Sequence, residues 1–81
     1  MFKKINEKID VMVDFSKNKV RPLYFYWGNK KYQIKQIKFI QVTKEMGRKF
    51  YHFTVTDSIN YFKLIFDADD MLWRLTEVCT G

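Results

Sequence analysis

The chain has 81 residues, which is enough for one compact domain and excludes two domains of ordinary size. Hydrophobic residues make up 47% of it and aromatic residues 19%, a composition that excludes a disordered or low-complexity chain. Lys and Arg number 15 against 9 Asp and Glu, and the net charge of +6 admits acidic partners without requiring them. We therefore treat residues 1–81 as a single domain.

Cysteine content and hydropathy give an expectation about location. Cys79 is the only cysteine, so no internal disulfide can form, and a reducing compartment is expected. The longest uncharged stretch, Pro22–Asn29, has 8 residues, whereas a membrane-spanning helix needs about 20. Charged residues interrupt the first ten positions, which excludes the apolar segment of a secretory signal. We expect a cytoplasmic protein without a membrane partner.

The first predicted element is a β-strand. From Lys8 onward apolar and polar residues alternate, which is typical of a half-buried strand. Its apolar face carries Ile9, Val11, Val13 and Phe15. Residues 1–8 also fit a frayed end or a helical turn, so the start of the strand stays open. Residues 16–19 predict a turn, and Pro22 fits the start of the next strand, where a missing backbone donor is tolerated.

The clearest local signal is a β-hairpin around Gly28-Asn29, a pair suited to a tight two-residue turn. With the turn there, Trp27 pairs with Lys30, and the apolar side chains of both strands fall on one face. That face carries Leu23, Phe25, Tyr32 and Ile34. The opposite face carries Tyr24, Tyr26, Lys31 and Gln33.

The alternation changes parity after Ile34, where the next inward candidates are Ile37 and Phe39. A β-bulge near Lys35-Gln36 would return both to the inner face and would bend the sheet. Two further apolar residues have the opposite parity and stay unassigned: Ile40 and Val42.

Three further turns divide the second half of the chain, at residues 44–48, 57–60 and 67–70. A turn at 57–60 brings six apolar residues together on one face, because the register then pairs Tyr51 with Phe66, Phe53 with Leu64, and Val55 with Phe62. The last strand covers residues 71–78, with Trp73 and Leu75 facing inward.

These elements predict an all-β domain of about six antiparallel strands in meander order. With no helix to cover the apolar face, the sheet is expected to coil into a roll or a partly open small barrel. The predicted core consists of Val11, Val13, Leu23, Phe25, Tyr32, Ile34, Phe53, Val55, Phe62, Leu64, Phe66, Trp73 and Leu75.

Spaced aromatic and turn residues carry a resemblance to a known group of proteins. The motifs are Pro22-x-x-Phe25-x-Trp27-Gly28-x-x-x-Tyr32-x-Ile34, Phe50-Tyr51-x-Phe53-x-Val55, Tyr61-x-x-Leu64-x-x-Asp67 and Trp73-x-Leu75-x-x-Val78. They resemble a family of short, uncharacterised bacterial proteins with a W-x-G-x-x-Y-x-V hairpin and a W-x-L-x-x-V ending. The resemblance covers residues 9–79 and departs from the family at Phe39-Ile40, where an aromatic residue is common. It implies a domain of unknown function and transfers no site residue.

Positive charge is concentrated in the middle of the chain. Residues 17–49 hold ten basic residues and one acid, a balance of +9. Within this segment a candidate binding face, which we name the tyrosine–lysine face, consists of Tyr24, Tyr26, Lys31, Gln33 and Lys35. Aromatic rings beside lysines can stack on bases and attract phosphates. Only three arginines are present, which argues against dedicated base reading.

Three interpretations of this face remain open. It is a site for single-stranded nucleic acid or an acidic protein partner, a solvated surface on which lysine stems cover aromatic rings, or an interface between subunits. We predict a small, basic, non-enzymatic binding or adaptor module. The alternative is a protein-interaction or homo-oligomeric module with the aromatic face buried between subunits.

The sequence offers no assembled catalytic or metal site. The acidic run Asp67-Ala68-Asp69-Asp70 lacks the glycine and glutamate of a calcium loop, and an ordinary turn is expected. His52 and Cys79 are single residues, too few for a zinc site, and His52 has the outward parity of its strand. No glycine-rich phosphate loop is present. We therefore expect no enzyme, no metal and no cofactor.

Overall fold

Seven β-strands account for the alternation of apolar and polar residues. The computed structural model describes residues 1–81, and its strands are β1 (Lys3–Asp14), β2 (Arg21–Trp27), β3 (Lys30–Gln33), β4 (Gln36–Glu45), β5 (Arg48–Thr56), β6 (Tyr61–Asp67) and β7 (Leu72–Cys79). A short 3₁₀ turn at Ser16–Asn18 joins β1 to β2. No helix has the length and hydropathy needed to cross a membrane.

All seven strands form one antiparallel sheet in the order β3-β2-β1-β7-β6-β5-β4. Strands that follow each other in the chain are neighbours everywhere except β3 and β4, which form the two edges, while β1 pairs with β7. The predicted all-β class and the predicted coiled, antiparallel sheet are confirmed, and the sheet is not closed into a barrel. The sheet has seven strands where about six were predicted, because a single expected strand after the first hairpin is divided into β3 and β4.

The division occurs at Ile34-Lys35, where the chain passes from one edge of the sheet to the other. The Ile34 amide donates to the Leu23 carbonyl on β2 (3.0 Å), and the Lys35 amide donates to the Thr56 carbonyl on β5 (2.8 Å). Two consecutive residues thus bond to strands near opposite ends of the sheet, β2 and β5, and we name this crossing the seam. The predicted bulge at Lys35-Gln36 was wrong, because the chain changes its partner strand there instead of continuing along one.

The bulge of this region lies in β4, between Ile37 and Phe39. Ile37 pairs with Val55 on the inner face, but the extra residue places Phe39 opposite Thr54 on the outer face, where 58% of its surface is exposed. The expectation that Phe39 faces inward was therefore wrong. The shift also brings Ile40 and Val42 to the inner face.

The core lies inside the coiled sheet. Its buried hydrophobic residues are Phe25, Phe53, Val55, Phe62, Leu64, Phe66, Trp73, Leu75 and Val78. The ring centroid of Phe62 on β6 lies 5.0 Å from that of Phe25 and 5.2 Å from that of Tyr32, so the hairpin of β2 and β3 packs face to face against β6. The sheet therefore curls until its two ends share one interior.

Most of the predicted core is confirmed, with differences at its margins. Four predicted core residues are partly buried and pack against the core: Val11, Val13, Tyr32 and Ile34. Leu23 is partly exposed and lies outside the core cluster. The reason is a register shift between β1 and β2, which leaves Leu23 without a partner on β1, and the neighbouring Pro22 is buried instead. Val78, which was not predicted, is buried through the pairing of β7 with β6.

Local backbone geometry fixes the two tight turns. Gly28 and Asn29 both have positive φ (57° and 65°), and the predicted register of Trp27 with Lys30 is confirmed. Met46 and Gly47 also have positive φ (51° and 77°), so β4 and β5 are joined by a two-residue turn. The expected loop over residues 44–48 was too long, because Met46 is not a residue that the turn chemistry predicts at positive φ.

The N-terminal residues belong to the sheet. β1 begins at Lys3 and pairs with β7, with a register shift between Lys4 and Glu7 around Asn6, whose φ is 55°. A helical turn in residues 1–8 is thereby excluded. Phe15 lies beyond the end of β1 and is half exposed, although its ring still lies 6.2 Å from that of Phe66.

Candidate functional site

The structure places the tyrosine–lysine face on the outside of the hairpin formed by β2 and β3. Tyr24 pairs with Gln33 and Tyr26 pairs with Lys31. The intervening residue, Phe25, is fully buried. Since successive residues of a strand point to opposite faces of the sheet, the two tyrosines face outward as predicted.

Within this face the two tyrosines have different environments. Their ring centroids lie 5.9 Å apart at an interplanar angle of 89°. The Lys31 ammonium lies 4.0 Å from the centroid of the Tyr24 ring, at cation–π distance, and covers that ring. Tyr26 keeps 49% of its surface exposed. Tyr26 is therefore the open aromatic ring of this face, and Lys31 is the cation beside it.

Lys35 is separated from the other four residues of the face. It lies beyond the end of β3, and its amide donates to the Thr56 carbonyl on β5, near the opposite end of the sheet. Its exposed side chain thus belongs to the seam. The structure brings together Tyr24, Tyr26, Lys31 and Gln33, and it leaves Lys35 at the margin.

β1 adds residues to this surface that were not predicted from the sequence. Asp10 pairs with Tyr26, and Met12, which is half exposed, pairs with Tyr24. Tyr26 also lines an open depression of about 390 Å³, whose polar wall includes Lys8 and Asp10. The alternation of β1 gives the outward parity of these residues, but only the pairing of β1 with β2 shows that they adjoin the tyrosines.

Lysines provide most of the free positive charge near this surface. Arg21 donates to Asp14 (2.6 Å), and Arg48 lies 2.5 Å from Asp67 and 2.6 Å from Asp70. Two of the three arginines are therefore held in ion pairs. Asp10 is the one acid in direct register with the tyrosines, and it reduces the positive potential beside Tyr26.

A second concave feature, not predicted from sequence, lies beside the seam, between the link into β2 and the inner face of β4 and β5. We name it the seam groove; it has a volume of about 280 Å³ and is lined by Asn18, Lys19, Val20, Arg21, Ile37, Ile40 and Tyr51. Its floor is formed by apolar side chains of the inner face of β4. This face stays uncovered because β4 is an edge strand with no further strand beside it. The basic residues of the link into β2 form its rim.

His52 and Cys79, the two side chains weighed as metal ligands, lie apart in the structure. His52 Nε2 lies 2.9 Å from the Thr43 hydroxyl on the outer face of β4 and β5, and His52 pairs with Ile65. Cys79 pairs with Tyr61, at the other end of the same strand β6. No group of three or more His, Cys, Asp or Glu side chains is placed to hold a metal ion.

The acidic run between β6 and β7 is a turn stabilised from within. Asp67 Oδ1 accepts hydrogen bonds from the amides of Asp69 (3.0 Å) and Asp70 (3.3 Å). The Arg48 guanidinium on Asp67 Oδ2 is the main reason that the pKa of the Asp67 carboxyl lies below its usual value, and these two amides add to the effect. The carboxylates are thus occupied by partners within the chain.

Comparison of this chain with protein-family models, curated proteins and solved structures finds no match. The resemblance to the family of short bacterial proteins therefore stays a prediction. Functional inference rests on the surfaces described above.

Proposed function

We propose that this protein is a non-enzymatic module that binds single-stranded nucleic acid on its tyrosine–lysine face. The observation that carries the proposal is the half-exposed ring of Tyr26 beside Lys31 on the open, convex side of the sheet. Stacking of a base on an exposed aromatic ring contributes about 1–3 kcal/mol and does not depend on base identity.

The surroundings of Tyr26 support a single strand as the ligand. The depression beside the ring is open and has both apolar and charged walls, including Leu72 and Lys8. A base stacked on Tyr26 would leave its phosphates within reach of Lys8 and Lys31. These lysines attract phosphate as point charges, whereas the planar guanidinium groups suited to bidentate contacts are largely engaged elsewhere. Binding is therefore expected to tolerate many sequences.

The proposal includes a cytoplasmic location. Its support is the single cysteine, Cys79, which is consistent with a reducing compartment.

Replacement of the open ring tests the proposal. We expect Tyr26→Ala to weaken binding of a fluorescently labelled oligothymidylate about tenfold at low salt, because the stacking surface is lost. Tyr61→Ala is the matched control, since Tyr61 is a tyrosine on the outer face of β6 with 40% exposure. Fluorescence anisotropy measures both affinities, and circular dichroism checks that both variants fold.

A charge variant at the same surface gives a second readout. Asp10→Asn should strengthen binding by removing the acid that pairs with Tyr26, while Glu45→Gln, which makes the same change of net charge on β4, should have a smaller effect. Wild-type affinity should fall steeply as salt increases. Absence of binding at low salt, or equal losses in Tyr26→Ala and Tyr61→Ala, would refute the proposal. A dimer that Tyr26→Ala abolishes would favour the homo-oligomeric alternative.

A further inference from the structure

The outer edge of β4 is a long strand edge without a partner. β4 has ten residues and pairs only with β5, since β3 lies at the opposite end of the sheet order. Such an edge presents backbone donors and acceptors in a row and can accept another strand. The other edge strand, β3, has only four residues.

The turn after β4 determines which backbone groups are free. The two-residue turn at Met46-Gly47 makes Glu45 and Arg48 a hydrogen-bonded pair, and such pairs alternate along an antiparallel ladder. By this alternation the backbone groups of Ile40, Val42 and Lys44 point away from β5. These three residues therefore form the hydrogen-bonding surface of the edge.

The same three residues place their side chains on the inner face of the sheet, beside the seam groove. Ile40 and Val42 pair with Phe53 and Tyr51 on that face, yet 50% and 48% of their surfaces are exposed. Ile40 also lines the groove. An added strand would thus cover apolar side chains and satisfy main-chain groups at the same time, the arrangement by which extended peptides add to sheets.

Positively charged side chains around this edge favour an acidic partner. Lys44 pairs directly with Lys49 on the inner face, and Lys19 and Arg21 lie across the groove. Like charges in direct cross-strand register destabilise a sheet, so an acidic side chain placed between these lysines relieves their repulsion. A second copy of the chain would bring more positive charge, because its net charge is +6.

We propose that the edge of β4 and the seam groove bind an extended acidic peptide as an eighth strand. On the inner face of the sheet its side chains are apolar beside the groove and acidic beside Lys44 and Lys49. The aliphatic floor formed by Val20, Ile37 and Ile40 favours peptide side chains over stacked bases, for which the groove offers one aromatic ring, Tyr51. This site is separate from the tyrosine–lysine face and does not depend on the function proposed for that face.

Two glutamate variants of one strand test the proposal. The probe is a fluorescently labelled peptide of about six residues, the usual length of a strand, in which one Glu and two Val alternate with Thr. The Glu and both Val then share one face of the added strand. Ile40→Glu places a negative charge on the groove side and should weaken binding at least about tenfold. Phe39→Glu makes the same change of charge on the outer face of β4, where the exposure is similar, and should change affinity less than about threefold.

A backbone variant of the protein and a peptide of opposite charge make the test specific. Val42→Pro removes a donor that points away from β5, so the fold should persist, as shown by circular dichroism, while peptide binding is lost. The same peptide with Lys in place of Glu should not bind. Tyr26→Ala should leave peptide affinity unchanged, which separates this site from the nucleic-acid face.

Several results would overturn the proposal. These are equal binding of the Glu and Lys peptides, equal effects of Ile40→Glu and Phe39→Glu, and full binding by a folded Val42→Pro protein. Loss of oligothymidylate binding in Ile40→Glu without any peptide binding would assign the groove to nucleic acid instead. A dimer in sedimentation that Ile40→Glu dissociates would assign the edge to a second copy.

Discussion

At the scale of single residues, Asp14 organises the chain where β1 ends. Its Oδ1 accepts the Ser16 amide (2.8 Å) and its Oδ2 accepts the Arg21 guanidinium (2.6 Å), so one carboxylate connects the 3₁₀ turn with the start of β2. The hydrogen bonds from Ser16 and then the partnership with Arg21 lower the pKa of Asp14 from 3.8 to about 2. Because Lys19 and Arg21 also line the seam groove, Asp14 helps to position its rim.

This pKa shift makes stability depend on pH. Since the folded-state pKa of Asp14 lies below the unfolded value, its stabilising contribution is present above about pH 4 and is lost as the pH falls toward 2. Asp14→Asn should lower the free energy of unfolding at pH 7 and flatten its decline between these pH values, measured by urea denaturation at several pH values. Asp10→Asn is the control, since Asp10 forms no ion pair, and should keep the wild-type profile. An unchanged profile in Asp14→Asn would contradict the argument.

At the scale of elements, the turns determine the strand registers. Gly28-Asn29 was readable from sequence because glycine and asparagine tolerate positive φ, and the complete register of β2 with β3 followed from it. Met46-Gly47 adopts the same kind of turn with a residue that does not favour it, so its sequence predicted a longer loop. The strand pairing of β4 with β5 therefore holds Met46 in a left-handed conformation.

A substitution at Met46 tests this account. Its side chain is fully exposed, so replacement removes no packing. Met46→Asn should raise the free energy of unfolding by about 1 kcal/mol, because asparagine adopts the left-handed region more easily than methionine. Met46→Leu, which keeps the left-handed strain, should leave stability near the wild-type value. Urea unfolding measures both, and no stabilisation in Met46→Asn would show that the turn is not strained.

At the scale of the whole molecule, one backbone ladder and aromatic contacts across the interior hold two groups of strands together. β1 joins the hairpin of β2 and β3 to the four remaining strands by pairing with β7. Across the interior, the Phe62 ring contacts Phe25 and Tyr32. Phe62 lies on β6 and therefore joins its own group of strands to the hairpin of β2 and β3. The curl of the sheet depends on this packing.

Truncation of this ring should affect the entire domain. Phe62 is 1% exposed, and Phe62→Ala should lower the free energy of unfolding by about 3–5 kcal/mol, a large part of the stability of a small domain. Phe39→Ala, which removes a ring of equal size from the outer face, should cost less than about 1 kcal/mol. The measurement is the urea midpoint of each variant by tryptophan fluorescence. Similar losses in both variants would contradict the assigned core.

Sequence alone determined the features that depend on neighbouring residues. Alternation and turn chemistry gave the all-β class, the first hairpin, the register of β5 with β6, and the outward direction of Tyr24 and Tyr26. These follow from the two-residue period of a strand and from the few residues that suit a tight turn. They needed no knowledge of distant contacts.

Only the tertiary structure decided how the ends of the chain meet and where the sheet stays open. The pairing of β1 with β7 joins residues almost a full chain length apart, and no local pattern encodes it. The pairing of β1 with β2 places Asp10 beside Tyr26, while the crossing at Ile34-Lys35 leaves β4 as a free edge. The reason is that sequence periodicity fixes which face a side chain takes, whereas strand partners are chosen by burial of the shared interior.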